Sequence, residues 1–274
     1  MSRKEKPSLF DFAEAWRSLA EQDPKCRYTR EEDLAHWERR AVRYAEEACL
    51  PGRYEATLAA LTELVRPTDT LLDVGAGAGR FALPLAAHVQ QVTALDQAAP
   101  MLDILRAKAD AEGIANVQLL RAAWEDATVE PHDVVLAAWS LYRQPDLVVS
   151  MQKLIAATRR TLVIVAGTDD SIRGNPKLGR FWPQAEDGRR PMHLYLYGAL
   201  WQAGVYPDLR IVYEQNQVTG ATPLEVAQAL APANASGSEV EGFCAAITPE
   251  LEETSSGWRY IRPEPVALIV WQRL

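Results

Sequence analysis

Three glycines at alternate positions, Gly75, Gly77 and Gly79, follow the apolar run Thr70-Leu-Leu-Asp-Val74, and the chain then continues into Arg80-Phe-Ala-Leu-Pro-Leu85. Residues of these types in this order read as a buried strand, a tight turn and a helix. Leu71, Leu72 and Val74 suit a central parallel strand, while the turn Gly75-Ala76-Gly77-Ala78-Gly79 lets a ligand approach backbone without meeting a Cβ. The combination points to a nucleotide-like ligand. Asp73 places a carboxylate at the end of that strand. A second apolar run, Gln91-Val-Thr-Ala-Leu-Asp96, ends in another acid ~20 residues beyond the turn, where a carboxylate that accepts from both ribose hydroxyls is expected.

The dinucleotide fingerprint G-x-G-x-x-G requires glycine at position 80, where this chain has Arg80, so the spacing is D-x-G-x-G-x-G. That argues against NAD and FAD. The lysine of the G-x-x-x-x-G-K-[ST] loop is absent as well, so nothing is placed to hold a nucleotide triphosphate.

With these residues in order, 70 to 166 resembles a class I S-adenosylmethionine (SAM) dependent methyltransferase. The resemblance implies that Gly75, Ala76, Gly77 and Gly79 pack against the methionine end of SAM, that Asp96 with neighbouring Gln97 holds the ribose, and that Asp73 reaches the ligand's ammonium group. Met101, in Pro100-Met-Leu102, falls where an apolar residue packs against adenine. Ala122-Ala-Trp-Glu-Asp126 falls where the family reads the adenine amino group, with Asp126 in the position of the usual acid and Trp124 and Glu125 beside it. The Gly-Asp pair common at 122 and 123 is Ala-Ala here.

A methyl acceptor is expected near the end of the fourth strand, where the chain reads Ala138-Trp-Ser-Leu-Tyr-Arg143. Trp139 and Tyr142 either line the sulfonium or the acceptor, through the attraction of an aromatic face for a cation, or pack the core. The Asp/Asn-Pro-Pro-Tyr/Phe motif of enzymes that methylate amide or exocyclic nitrogens is absent. So are the paired-glutamate loop of the arginine methyltransferases and a cysteine where the 5-methylcytosine enzymes place their nucleophile. A small-molecule acceptor is therefore expected. His193 is the candidate general base, since histidine titrates near working pH and the helix after strand five borders the family's acceptor pocket. Tyr44, in a cluster with Trp37 and Arg40, is expected to approach the methionine moiety or to pack a helix face. His36, His88 and His132 read as surface or loop positions. Asp169 and Asp170 stand where metal-dependent relatives place ligands, but no matching acid follows strand four, so no metal is expected.

Composition bounds the alternatives. The chain has 274 residues and a formal net charge of -8, so no basic surface is implied and nucleic acid is an improbable substrate. Cys26, Cys49 and Cys244 are odd in number and scattered, which suits a reducing compartment and no zinc site. No apolar run approaches the ~20 residues of a membrane span, and the N-terminus has no apolar leader, so a cytoplasmic protein is expected. Trp16 and Trp37 leave a homo-oligomer interface open.

The positioning elements follow from periodicity. Residues 8 to 65 read as helical, with Asp33 as a cap for a helix carrying Leu34, Trp37, Ala41 and Tyr44, and Leu50-Pro51-Gly52 as a break. Strands are predicted at 70–74, 91–96, 117–121, 133–138 and 161–166, alternating with helices at 81–87, 100–112 and 144–158. Helix 191–204, strand 209–218, and a strand or hairpin over 258–261 and 265–272 follow. Such alternation predicts an α/β, doubly wound, mostly parallel sheet, and the family implies seven strands with an antiparallel strand at one edge. The expected division is an N-terminal helical cap or lid (1–66) and a SAM-binding core (67–274), with insertions at about 169–190 and 220–257. The functional expectation is methyl transfer from SAM to a small molecule. The alternatives are a SAM-binding protein without transferase activity and a methyltransferase acting on protein or tRNA.

Overall fold

The structure, a computed structural model, describes residues 10–22, 29–48, 53–142, 144, 146–168, 181–182, 191–232 and 234–273. Cys26, Cys49, Arg143, Asp169, Asp170, the break at 50–52 and most of 169–190 lie outside the described residues. The five predicted parallel strands form as β1 (Thr70–Val74), β2 (Gln91–Asp96), β3 (Val117–Arg121), β4 (His132–Ala138) and β5 (Thr158–Gly167). They pair in parallel in the order β3-β2-β1-β4-β5. The central strands are buried on both faces because helices cover each side. His132 opens β4 and is half-buried, not a loop residue: its ring contacts Glu130 O at 2.7 Å and Thr93 Oγ1 at 2.9 Å.

Beyond β5 the sheet continues through β8 (Gly257–Gln272) to β6 (Asp208–Gly220), both pairings antiparallel. The antiparallel strand therefore lies one place in from the edge, and β6 forms the edge. Where the sequence left a strand or a hairpin open, β8 runs unbroken through Pro263 and Pro265. Both prolines precede Val266, the first β8 residue paired with β5, and Pro265 turns its carbonyl to Thr168 Oγ1 at 3.1 Å. Its missing N–H thus faces the flank that β5 does not reach, where a ladder loses nothing. A short eighth strand, β7 (Glu252–Thr254), hairpins onto the start of β8.

The helices of the core are α4 (Ala82–Ala86), α5 (Ala99–Glu112), α6 (Leu147–Ala156) and α7 (Met192–Gln202). Upstream lie α1 (Phe12–Gln22), α2 (Arg30–Ala48) and α3 (Glu55–Thr62). Asp33 does not cap α2. That role falls to Thr29, whose Oγ1 accepts from Glu32 N (3.2 Å) while Glu32 Oε2 accepts from Thr29 N (2.8 Å), a reciprocal box at T-x-x-E spacing. Asp33 is thereby freed for a tertiary contact. Trp16 is buried in α1, donating its indole N–H to Gln144 O at 2.9 Å and lying 6.2 Å from the Tyr195 ring, so it does not face outward.

Between β6 and β7, α8 (Pro223–Leu230) and α9 (Gly237–Ile247) enclose a satellite core of Val226, Val240, Phe243, Ile247 and Tyr260. Phe181 and Trp182 join it, with ring centroids 5.6 and 4.8 Å from Phe243. This described pair of the 169–190 segment is thus anchored on the insertion.

Candidate functional site

The glycine turn forms the floor of a cleft of about 740 Å³ at the carboxyl ends of β1, β2 and β4. Gly75 N and Ala76 N both donate to Leu95 O, at 2.8 and 2.9 Å, which ties the turn to β2. Gly75 has φ +76°, and a Cβ there would lie 2.4 Å from Ser140 Cβ, so only glycine lets the turn pass the end of β4. Gly77 opens onto the cleft, with Tyr44 as the nearest side chain to a Cβ built on it, at 3.6 Å. Gly79 differs: a Cβ there would meet Leu83 and Leu105 at 2.8 and 2.9 Å, so it permits helix packing and does not line the cleft. Ala76 is likewise buried away from the cleft.

Two carboxylates lie beneath this turn. Asp96 lines the cleft and accepts from Gly77 N (Oδ2) and Ala98 N (Oδ1), each at 2.9 Å. Each oxygen retains a lone pair for a ribose hydroxyl. Burial raises its pKa, and the backbone N–H groups of Ala98, Gly77 and Gln97 oppose that rise. Asp73, expected at the ligand's ammonium group, is only 2% exposed and lies beneath the cleft, not on its lining; its pKa is raised to about 7 by burial first and the Asp96 charge second, with Arg80 acting in the opposite direction. Asp73 therefore titrates near neutrality.

The walls come from distant parts of the chain. From α2, Arg30, Asp33, Trp37 and Tyr44 face the cleft, with the Trp37 and Tyr44 rings edge to face at 5.5 Å. Asp33 Oδ2 accepts from Gln97 Nε2 at 3.0 Å, which links α2 to the loop after β2. Met101 of α5 also lines the cleft and clusters with Ala41, Ala45 and Trp37 of α2. Trp124 and Glu125 also line the cleft, and Lys153 of α6 holds their loop by donating to both carbonyls while its ammonium lies 4.6 Å from the Trp124 ring centroid. Asp126, expected to read adenine, lies outside: its exposed carboxylate pairs with Arg30, because the turn after Ala123 directs it toward α2.

A second cavity of about 240 Å³ adjoins the first over the ends of β4 and β5. Its lining is largely apolar, including Leu141, Ile164, Val165, Met192, Leu196 and Pro265, with Thr168 and the carboxylate of Glu264. Trp139 and Tyr142 line both cavities. Trp139 holds φ +49°, a region rare for a bulky residue, and its N–H donates to Val165 O at 2.9 Å. His193 lines neither cavity: Met192 and Leu196, one turn apart, carry the α7 face that does, and position 193 is rotated off that face. The expected base borders neither cavity.

The cleft's chemistry fits the group that the motif implies. Gly77 leaves backbone open to it, Asp96 has acceptor capacity left, and Ser140 Oγ and Trp124 Nε1 are buried wall atoms without a hydrogen-bond partner among the described residues. Sequence reasoning marked Arg80 only as a replacement of the fingerprint glycine and had no signal for Lys153 or Ser140, since the contacts of all three are tertiary.

Comparison with known proteins agrees with this geometry. A family model described as a methyltransferase domain matches residues 71–162. An uncharacterised protein of Haemophilus influenzae is 30% identical over 182 residues, 64% of this chain and 65% of that protein, so the match spans just under two thirds of the relative's length. Among solved structures, a chain from the complex of the Haloferax volcanii Trm112 methyltransferase activator with a methyltransferase superposes with a TM-score of 0.57 at 14% identity, over 87% of this chain and 96% of that one. The precorrin-6y C5,15-methyltransferase of Geobacter metallireducens gives 0.52 at 12% identity, over 82% and 90%. At these identities the structural likenesses speak for the fold.

Proposed function

We propose that the chain, whose residues 71–162 match a methyltransferase-domain model, binds S-adenosylmethionine as a class I methyltransferase and transfers the methyl group to a small, largely apolar acceptor held in the cavity beside the cofactor cleft. The observation that carries this reading is the pair of adjoining cavities, one sized for SAM and one of about 240 Å³, with Trp139 and Tyr142 common to both. A lone pair on the acceptor attacks the methyl carbon as the carbon–sulfur bond breaks, leaving S-adenosylhomocysteine (SAH), and the acceptor sheds its proton where it had one. The protein's tasks are to align the two reactants and to exclude water. Asp96 would hold the ribose, the turn would pack against the methionine end, and Trp139 and Tyr142 would border the sulfonium. Helices α1 and α2 act as the lid, since Arg17, Trp37 and Tyr44 border a cleft that the sheet alone leaves open. With His193 off the cavity wall, no general base is assigned. The net charge of -8 weighs against an RNA acceptor.

The test is transfer of labelled methyl from SAM to a cell extract split by ultrafiltration. Label in the low-mass filtrate supports a small acceptor. Label confined to protein or RNA would overturn it.

A further inference from the structure

Arg80 stands where a dinucleotide fold would need glycine, and the structure gives it an environment that the glycine motif does not explain. Its guanidinium carbon lies 4.6 Å from the ring centroid of Tyr54, 5.2 Å from Tyr44, 5.4 Å from Trp139 and 6.0 Å from Phe81. Nη2 donates to Tyr44 Oη at 2.6 Å, and Nε is buried without a hydrogen-bond partner among the described residues. Tyr54 and Trp139 are also the only two non-glycine residues with positive φ among those described, at +63° and +49°. Strained backbone persists only where the surroundings over-determine it, and it gathers at functional sites. Here both strained residues pack on one cation and on each other, with ring centroids 4.8 Å apart. Glu214 of β6 holds Tyr54 from behind by accepting from Ala56 N and Thr57 N at the start of α3.

We propose that Arg80 is the positioning residue of the cofactor site: its guanidinium ties Tyr44 of α2 to Trp139 at the end of β4, and it sets a fixed positive charge beside Asp73. The proposal deepens the reading above, since it takes the cleft to hold SAM and the charge of Asp73, buried beneath the turn, to attract its ammonium group. An arginine suits the place because its plane stacks on several rings while its fork reaches a hydroxyl, which a compact ammonium cannot do at once. The charged groups that act on Asp73 are Asp96 of β2, which favours protonation, and Arg80, which favours the carboxylate. Arg80 thus biases Asp73 toward the form that attracts an ammonium ion, and it fixes the lid tyrosine and the tryptophan shared by the two cavities in one arrangement.

The test is calorimetric titration of SAH into the full chain between pH 5.5 and 8.5, for wild type, Arg80→Lys, Arg80→Met and Tyr44→Phe, each first shown to unfold cooperatively. In Arg80→Met, affinity at pH 7 falls about tenfold and the pH midpoint of binding moves up by about a unit. Arg80→Lys keeps the wild-type midpoint, because the charge remains, and weakens binding several-fold. Tyr44→Phe, which leaves the guanidinium in place and serves if Arg80→Met does not fold, weakens binding two- to fivefold with the midpoint unmoved. Equal affinity loss in the Lys and Met variants with an unshifted midpoint would make Arg80 merely structural and overturn the proposal. Wild-type affinity in Arg80→Met and Tyr44→Phe would also overturn it while leaving the SAM reading intact, and failure of the wild type to bind SAH would sink both.

Discussion

Asp73 and Asp96 end adjacent strands a few residues from the same turn, yet their surroundings give them different work. Asp96 is held by two backbone N–H donors and keeps acceptor capacity toward the cleft, so Asp96→Ala removes the brace of the turn together with the proposed ribose contact. SAH affinity should fall at least tenfold, about 1.4 kcal/mol, by calorimetry. Unchanged affinity would remove the ribose assignment. Asp73 titrates at about 7, well above its ordinary 3.8. Between those values the folded chain holds a proton that the unfolded chain has lost, so this residue's favourable share of stability is complete below pH ~4 and disappears as pH rises through 7. Asp73→Asn should therefore be more stable than wild type above pH 7, by ~1–3 kcal/mol in urea unfolding, with the difference shrinking toward pH 4. The same substitution should weaken SAH binding and flatten its rise through pH 7. A variant no more stable than wild type at pH 8 would show that Asp73 is not held as a costly buried charge. Both acids were legible in the sequence because strand, turn and acid are contiguous. The diversion of Asp126 was not, since its partner Arg30 lies on α2, distant in sequence.

The glycine turn and α3 show the same division among elements. Gly75, Gly77 and Gly79 look equivalent in sequence, but the first clears Ser140, the second opens on the cleft and the third lets α4 pack on α5. A methyl group added at Gly79 overpacks Leu83 and Leu105 and forces an L-residue to φ +87°, so Gly79→Ala should cost ~2–4 kcal/mol. Protein that still folds should bind SAH nearly as wild type does, and a selective loss of binding would restore Gly79 to the ligand site. Glu214 carries the opposite lesson: a glutamate on an edge strand reads as solvent-facing, yet it is 3% exposed and caps α3. Glu214→Ala should destabilise the chain by ~1–2 kcal/mol by leaving buried N–H groups unpaired, and a change below ~0.5 kcal/mol in chemical denaturation would contradict that role. The strands were legible because buried parallel strands announce themselves as apolar runs. The cap of α2 was present as Thr29-x-x-Glu32, but Asp33 also matched a cap, and only the fold decides between them.

At the scale of the whole molecule, the sheet order brings Tyr44, Asp96, Trp124 and Trp139 to one end of the strands, although they are spread over nearly a hundred residues of sequence. Ligands bind at that end in open α/β sheets, and the reversal of strand order there, between β1 and β4, opens the crevice. Because α2 contributes a wall while packing on α5, ligand binding should stabilise α2 and the core together. Thermal unfolding with SAM, SAH and NAD reads this directly. A ligand at about a hundred times its dissociation constant adds ~2.7 kcal/mol, enough to raise the midpoint by about 5 °C in a chain of this size. SAM and SAH should each produce that shift in one cooperative transition. NAD should produce none, because Arg80, set among four aromatic rings, occupies the position where its pyrophosphate fingerprint requires glycine. A shift with NAD alone would mean that the turn accommodates a dinucleotide despite Arg80, and a SAM-induced shift split into two transitions would mean that the N-terminal helices unfold apart from the sheet they cover.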